Sequence, residues 1–324
     1  MKQNRIILVI GLLCITLGCI GYMNMHYDIL ARNTYVTKEN HDLLIEKLND
    51  EQILYVVENN INVTEFDSFL EMDAFKFENY KLYIKANKVR NGTPYTIVNF
   101  VNAVADKMNE DDLLMALVYY EYSLLKDMIL NRSYYNSNAL VVLNPSDYML
   151  KLDLTNTIGK YEPKDLVLLD EYSEINGVNE DLKLREEVAD NLNDMCSYMA
   201  DIYAEKCGGF DVSEAYMSYD TIQQNYTSAL AMYGPQIAYE NYGYPSHNEH
   251  QLGLAIDIEL NSGEYMEFSE RYAVLKNIAH QFGFIVYTNE DVSFSHMKRA
   301  NHLRYIGKDA ATSCYRSGNC IGGE

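Results

Sequence analysis

Residues 247–260 read HNEHQLGLAIDIEL. Two histidines, a glycine and an aspartate share one short stretch. The alternation puts Leu254, Ile256 and Ile258 on one face of a strand and Ala255, Asp257 and Glu259 on the other. His250 stands in the loop leading into that strand. Gly253 permits the tight approach that brings a loop histidine back toward a strand aspartate. Further on, NHLRYIG (residues 301–307) supplies His302. One Asp and two His form a normal three-ligand set for zinc, with the fourth position open to water. His250, Asp257 and His302 are therefore candidate metal ligands. Spacing alone leaves open that they are ordinary satisfied polar residues.

The rest of the chain bounds what such a site serves. It has 324 residues, 48% of them hydrophobic, and a formal charge of −21. That length allows about two domains. The charge excludes non-specific nucleic-acid binding, which needs a basic surface. Lys2 and Arg5 precede an apolar run from Ile6 to Met23, long enough to span a bilayer with interfacial flanks. Positive charge on its N-side places the N-terminus in the cytosol and the remainder outside. The expectation is a single-pass protein of the cell membrane with an extracellular C-terminal domain. A cleaved signal peptide is the rival reading. "TLGC", ending at Cys19, is a poor lipoprotein box.

Cys196, Cys207, Cys314 and Cys320 follow the apolar run. An oxidising compartment allows disulfides among them, and the closely spaced Cys314 and Cys320 are the expected pair.

Three regions are expected: an anchor over 1–28, a mostly helical juxtamembrane region over 29–138, and a chemistry-bearing domain over 139–324. In the helical region, Asn49 and Gln52 suggest a capping box. Asp111 and Asp112 precede LLMALVYYEYSLLKDMIL, an apolar stretch with no Gly or Pro. In the third region, Leu184, Val188, Leu192, Met195, Met199 and Ile202 recur at helical spacing. A polar helix is expected over 220–232. Ser269 is a candidate N-cap and Gly283 a candidate helix stop. Helices and strands without regular βαβ alternation point to an α+β fold.

Four motifs then carry a resemblance. PSHNEHQLGLAIDI is similar to the PGHSEHQTGLAVDI pattern of VanY-type D-alanyl-D-alanine carboxypeptidases. EAYMSYDTIQQNY resembles their SGYRSYETQQRLY, GFIVY their GFILRYP, and NHLRYIG their EPWHLRYVG. Order and spacing agree over roughly residues 139–309; the helical region before them is not covered. The resemblance implies a small antiparallel sheet with helices, one zinc ion held by His250, Asp257 and His302, and peptidoglycan stem peptide as substrate. Gly253, Ala255, His247, Arg304, Tyr305 and Gly307 match the family as well.

The chain also departs from that pattern. The family's general base is a Glu three residues before the last histidine; here that position is Arg299, which cannot accept a proton at neutral pH. The family's arginine in "YRS", which supports the developing oxyanion, is Met217 here, and a thioether donates nothing. Its glutamine five residues on is Ile222, its serine before the first ligand is Asn248, and its tryptophan before the last is Asn301. Glu249, Glu290, Asp291 and His296 are candidate replacement bases. Ser218, His247, Asn248, Arg299 and Arg304 are candidate ligand-binding residues, the arginines suiting a terminal carboxylate.

Loss of base and oxyanion donor together leads to the expectation of a degenerate domain that binds stem peptide or an envelope protein. Two alternatives stand beside it. One is an active zinc D,D-carboxypeptidase with a relocated base. The other is an envelope scaffold acting through the helical region.

Overall fold

The computed structural model describes residues 11–19, 28–286 and 300–318. Arg299, Glu290, Asp291, His296 and Cys320 lie outside the described residues, as does much of the apolar run 6–23. Residues 11–19 are helical and exposed. Among the described residues, no helix is long and apolar enough to cross a membrane.

The chain divides into two compact units, Met1–Ala105 and Asp106–Glu324. The expected helical region 29–138 is thus shared between them. In the first unit, helices Asp50–Glu58, Tyr80–Val89 and Pro94–Val104 bury Val56, Tyr83, Phe100 and Val101. Asn49 and Gln52 form the capping box, each side chain accepting from the other's backbone N–H.

The second unit opens with helices Glu110–Tyr119 and Tyr122–Asn131, where the sequence suggested one continuous apolar stretch. The break is made by Tyr120. Its backbone is extended, its ring is buried edge-on to Tyr161, and its hydroxyl donates to the Val142 carbonyl at 2.8 Å. Tertiary anchoring of one side chain outweighs local helix propensity here.

Two strand pairs follow: β1 (Leu140–Val141) with β2 (Asn156–Thr157), and β3 (Leu166–Leu168) with β4 (Lys183–Arg185). Leu184 belongs to β4, so the next helix begins after it, at Glu186, and runs to Tyr203. Val188, Leu192, Met195 and Met199 form its buried face, whereas Ile202 in the last turn is exposed.

The main sheet is antiparallel, in the order β5 (Phe210–Glu214), β6 (Ala255–Leu260), β8 (His302–Tyr305), β7 (Phe284–Val286). The α+β class follows directly. The first helix after β5, Tyr219–Tyr233, is capped by Ser218, whose hydroxyl accepts from the Thr221 N–H. The helix Glu270–Ile278 is capped by Ser269, and Gly283, with φ at +87°, ends the turn that follows it.

The disulfide among the described residues joins Cys196 to Cys207. Cys314 is buried and not disulfide-bonded, which corrects the expected Cys314–Cys320 pair. The connecting loop turns back at Cys207 and Gly208, both at positive φ, and so returns Cys207 to the helix that carries Cys196.

Candidate metal centre

β6 and β8 are neighbours in register, with Asp257 directly opposite His302. Two of the three candidate ligands are thus placed by sheet pairing alone. The third is placed by a short turn. Asn248 caps the 3-10 turn Glu249–Leu252, its side chain accepting from the His250 N–H at 2.8 Å. Gly253 ends that turn at φ +65°, where a Cβ would lie 3.0 Å from Cγ of Arg185. The ligand nitrogens and carboxylate oxygen all lie within 4.8 Å of one another, and all three residues are buried.

The hydrogen bonds decide which nitrogen of each histidine faces the others. His250 Nδ1 lies 2.7 Å from the Ala215 carbonyl, which only accepts, so Nδ1 carries the proton. Its Nε2 is buried with no hydrogen-bond partner and faces Asp257 Oδ1 at 3.6 Å. His302 lies between two carboxylates: Nδ1 is 2.6 Å from Asp257 Oδ1, and Nε2 is 2.8 Å from Glu249 Oε1. Burial pulls the His302 pKa down, but the Asp257 and Glu249 carboxylates outweigh it and carry it up to about 9. Burial acts to raise the Asp257 carboxyl; the His302 charge and contacts with both histidines hold it well below the usual range.

These residues fit a zinc ion. Tetrahedral ligands at 2.0–2.2 Å from zinc lie about 3.4 Å apart. The His250–Asp257 separation of 3.6 Å matches, and the buried Nε2 has its lone pair aimed there. The His302–Asp257 contact is drawn shorter by a hydrogen bond that metal binding would replace.

Around the trio, most side chains expected to meet a ligand have internal work. Arg304 is fully buried; its Nη2 donates to the carbonyls of Tyr148 and Leu150, and its Nε lies 3.2 Å from Glu249 Oε2. His247 bridges Ser133 Oγ at 2.5 Å and the Asp153 carbonyl at 2.9 Å, and burial lowers its pKa. Asn248 donates to the Tyr242 carbonyl besides capping the turn. Ser218 is a helix cap. His247, Asn248 and Arg304, expected to bind ligand, each have buried partners within the fold.

Glu249 is likewise not in a base's position. Its two oxygens face His302 Nε2 and Arg304, on the ring edge away from Nδ1. Met217 is buried; its N–H donates to the His250 carbonyl at 3.3 Å, and its sulfur accepts from Asn225 at 3.8 Å. Ile222 is buried too. Sequence reasoning missed Ala215, whose contribution is a backbone carbonyl and so leaves no mark in residue type. It also missed Ser133, Asp153 and Tyr148, which lie far from the motifs.

Residues 181–308 match the family model of VanY, D-alanyl-D-alanine carboxypeptidase. YodJ of Bacillus subtilis (strain 168), which carries a carboxypeptidase name, is 31% identical over 164 residues, 47% of this chain and 57% of YodJ. A D-alanyl-D-alanine carboxypeptidase of Enterococcus faecalis (strain ATCC 700802 / V583) is 37% identical over 79 residues, 24% of this chain and 29% of that protein. The chain thus spans less than two thirds of the length of either relative. Among solved structures, the LdcB LD-carboxypeptidase is similar at a TM-score of 0.49 with 25% identity, covering 57% of this chain and 88% of that one. VanYB in complex with D-alanine-D-alanine gives 0.42 with 22% identity, covering 53% and 94%. Residues 181–308 thus form a domain similar to the VanY-type D-alanyl-D-alanine carboxypeptidase family.

Proposed function

We propose that this protein is an exported, zinc-binding VanY-type domain that binds the peptidoglycan stem peptide without ordinary carboxypeptidase turnover. The observation that carries the reading is an asymmetry within one site. The three ligand atoms converge and the His250 tautomer is set, while the oxyanion position holds the buried thioether of Met217. Arg299 at the base position adds a cation where the family has a proton acceptor.

His250 Nε2, Asp257 Oδ1 and His302 Nδ1 would hold the metal. Bound there, zinc supplies Lewis acidity toward a carbonyl oxygen and a more acidic water. The protein's own part is to fix those donors and exclude bulk water from them; all three are buried. A general base contributes about 10²–10⁴-fold and an oxyanion donor about 10²–10³-fold. Losing both leaves binding without useful turnover. The Cys196–Cys207 disulfide supports an oxidising compartment outside the cytosol. The apolar run 6–23, with Lys2 and Arg5 before it, supports membrane attachment. An envelope protein in the same cleft is a further partner this reading admits.

The active-enzyme reading draws support from the same ligand geometry, since an intact three-ligand site is what hydrolysis would need. One experiment separates the two. The full chain, loaded with zinc, is mixed with a pentapeptide ending in D-Ala-D-Ala; binding is followed by calorimetry and D-alanine release by mass spectrometry. Binding without release is the expected result. Release that disappears in His250→Ala would overturn it in favour of an enzyme with a relocated base.

A further inference from the structure

The pair Glu249 and Arg304 extends the metal site by two residues that do not themselves face it. His302 can give the site only Nδ1, because Nε2 points to Glu249 at 2.8 Å. A carboxylate held by an arginine only accepts, so Nε2 must carry the proton. A neutral histidine with its proton on Nε2 has its lone pair on Nδ1, on the Asp257 side. If the Nε2 partner were lost, the proton could settle on Nδ1 and the ring could turn about its χ2 bond. Ligating histidines commonly have their second nitrogen fixed in this way.

The carboxylate is itself fixed. Its other oxygen faces Arg304 Nε at 3.2 Å, and the Arg304 Nη2 is tied to the carbonyls of Tyr148 and Leu150 at 3.1 and 3.0 Å. All three side chains are buried, at 3% exposure or less. His250 has the simpler arrangement, with the Ala215 carbonyl alone setting its tautomer. The two histidines thus present opposite nitrogens, Nε2 and Nδ1, and each is set by an acceptor on its far side.

From this we infer that Glu249 is a positioning residue of the metal site, holding His302 in the tautomer and orientation that direct Nδ1 to the ion, with Arg304 fixing the carboxylate. The inference rests on the proposed zinc site. It also accounts for an acidic residue beside a ligand that cannot act as a base where it stands.

Zinc affinity tests it without reference to turnover. Wild type, Glu249→Gln and Glu249→Ala of the full chain are titrated with zinc against a competing chelator, and the metal-free proteins are melted in parallel. Cobalt(II) replaces zinc in a second series, where its visible absorption reports ligand geometry. Loss of such a partner typically costs about 10–100-fold in metal affinity. The expected order is wild type, then Glu249→Gln, then Glu249→Ala, with an altered cobalt spectrum in the last. Glu249→Gln keeps the shape and an accepting oxygen, so it remains informative if Glu249→Ala, which leaves Arg304 buried beside a gap, does not fold. Wild type that binds zinc, with a Glu249→Gln protein of unchanged affinity and cobalt spectrum, overturns the positioning role alone. Wild type that binds no zinc overturns the metal site and this inference with it.

Discussion

His250 and Met217 are joined by one backbone hydrogen bond, yet they lie in halves of the site with different surroundings. On the His250 side, every side chain has a partner that fixes its chemistry: the Ala215 carbonyl for His250, Asp257 and Glu249 for His302, Arg304 for Glu249. On the Met217 side, two positions where the resemblance implies polar groups carry the buried thioether of Met217 and the buried Ile222. The first half is tied into the sheet, where Asp257 and His302 are register partners, so changing it costs fold as well as function. The second half lies on the segment leading into the helix Tyr219–Tyr233 and on that helix's first turn, outside the main sheet. Metal-binding geometry and catalytic groups are therefore separable, and the proposed function has this chain keep the first without the second.

The sharpest way to break that contrast is to remove a ligand. His250→Ala or Asp257→Ala should lower zinc affinity by more than the ~10–100-fold expected for an outer partner, as measured by chelator competition. An unchanged affinity would mean that the trio is a polar cluster and not a metal site. The complementary test restores the missing half. Arg299→Glu combined with Met217→Arg should raise D-alanine release from a D-Ala-D-Ala peptide by about 10²-fold or more over either single change, since base and oxyanion donor contribute separately. A wild-type rate already equal to the double variant would show that another group serves as base.

The convergence of His250, Asp257 and His302 was legible because local sequence carries it. A loop histidine, a glycine and an alternating strand with one aspartate place two candidate ligands within eight positions, and the HLRY strand adds the third. The α+β class followed from the same strands and caps. What was not legible depended on distant contacts. Glu249 reads as a spare carboxylate until β8 brings His302 and Arg304 against it. His247 reads as a site residue until Ser133 and the Asp153 carbonyl meet it from elsewhere in the chain. The helix break at Tyr120 needs the Val142 carbonyl, and the Cys196–Cys207 bond needs the left-handed turn at Cys207. Short spacing favoured Cys314 and Cys320 on sequence grounds, whereas Cys314 is free and buried and Cys320 lies outside the described residues.

The supports of the metal half give smaller effects. The Cys196–Cys207 bond ties the helix Glu186–Tyr203 to the approach of β5, the strand that ends next to Ala215. Closing so short a loop is worth about 3 kcal/mol on a chain-entropy basis. Cys196→Ala with Cys207→Ala should lower unfolding stability by about that amount, measured by denaturant titration, while zinc affinity of the folded protein stays unchanged. A large loss of affinity would mean that β5 and the Ala215 carbonyl depend on the crosslink.

His247 gives the mildest test, and its sign is set by burial. Its folded pKa lies below the ordinary value near 6.5, because burial penalises the charged ring more than the Asp153 carbonyl favours it. Above pH 6.5 the ring is neutral in both states, and the contribution is complete. As pH falls below 6.5 the unfolded chain takes up a proton that the folded chain refuses, so stability is lost down through the folded pKa. Asp257 acts in a lower window, because its carboxyl is held well below its ordinary value and its contribution fades only in stronger acid. Denaturant titrations of the metal-free protein across this range should therefore show a first decline starting near pH 6.5 that His247→Gln flattens, and a second, more acidic decline that it leaves in place. A first decline that persists in His247→Gln would assign that titration to another group and leave the Ser133–His247–Asp153 link indifferent to acid.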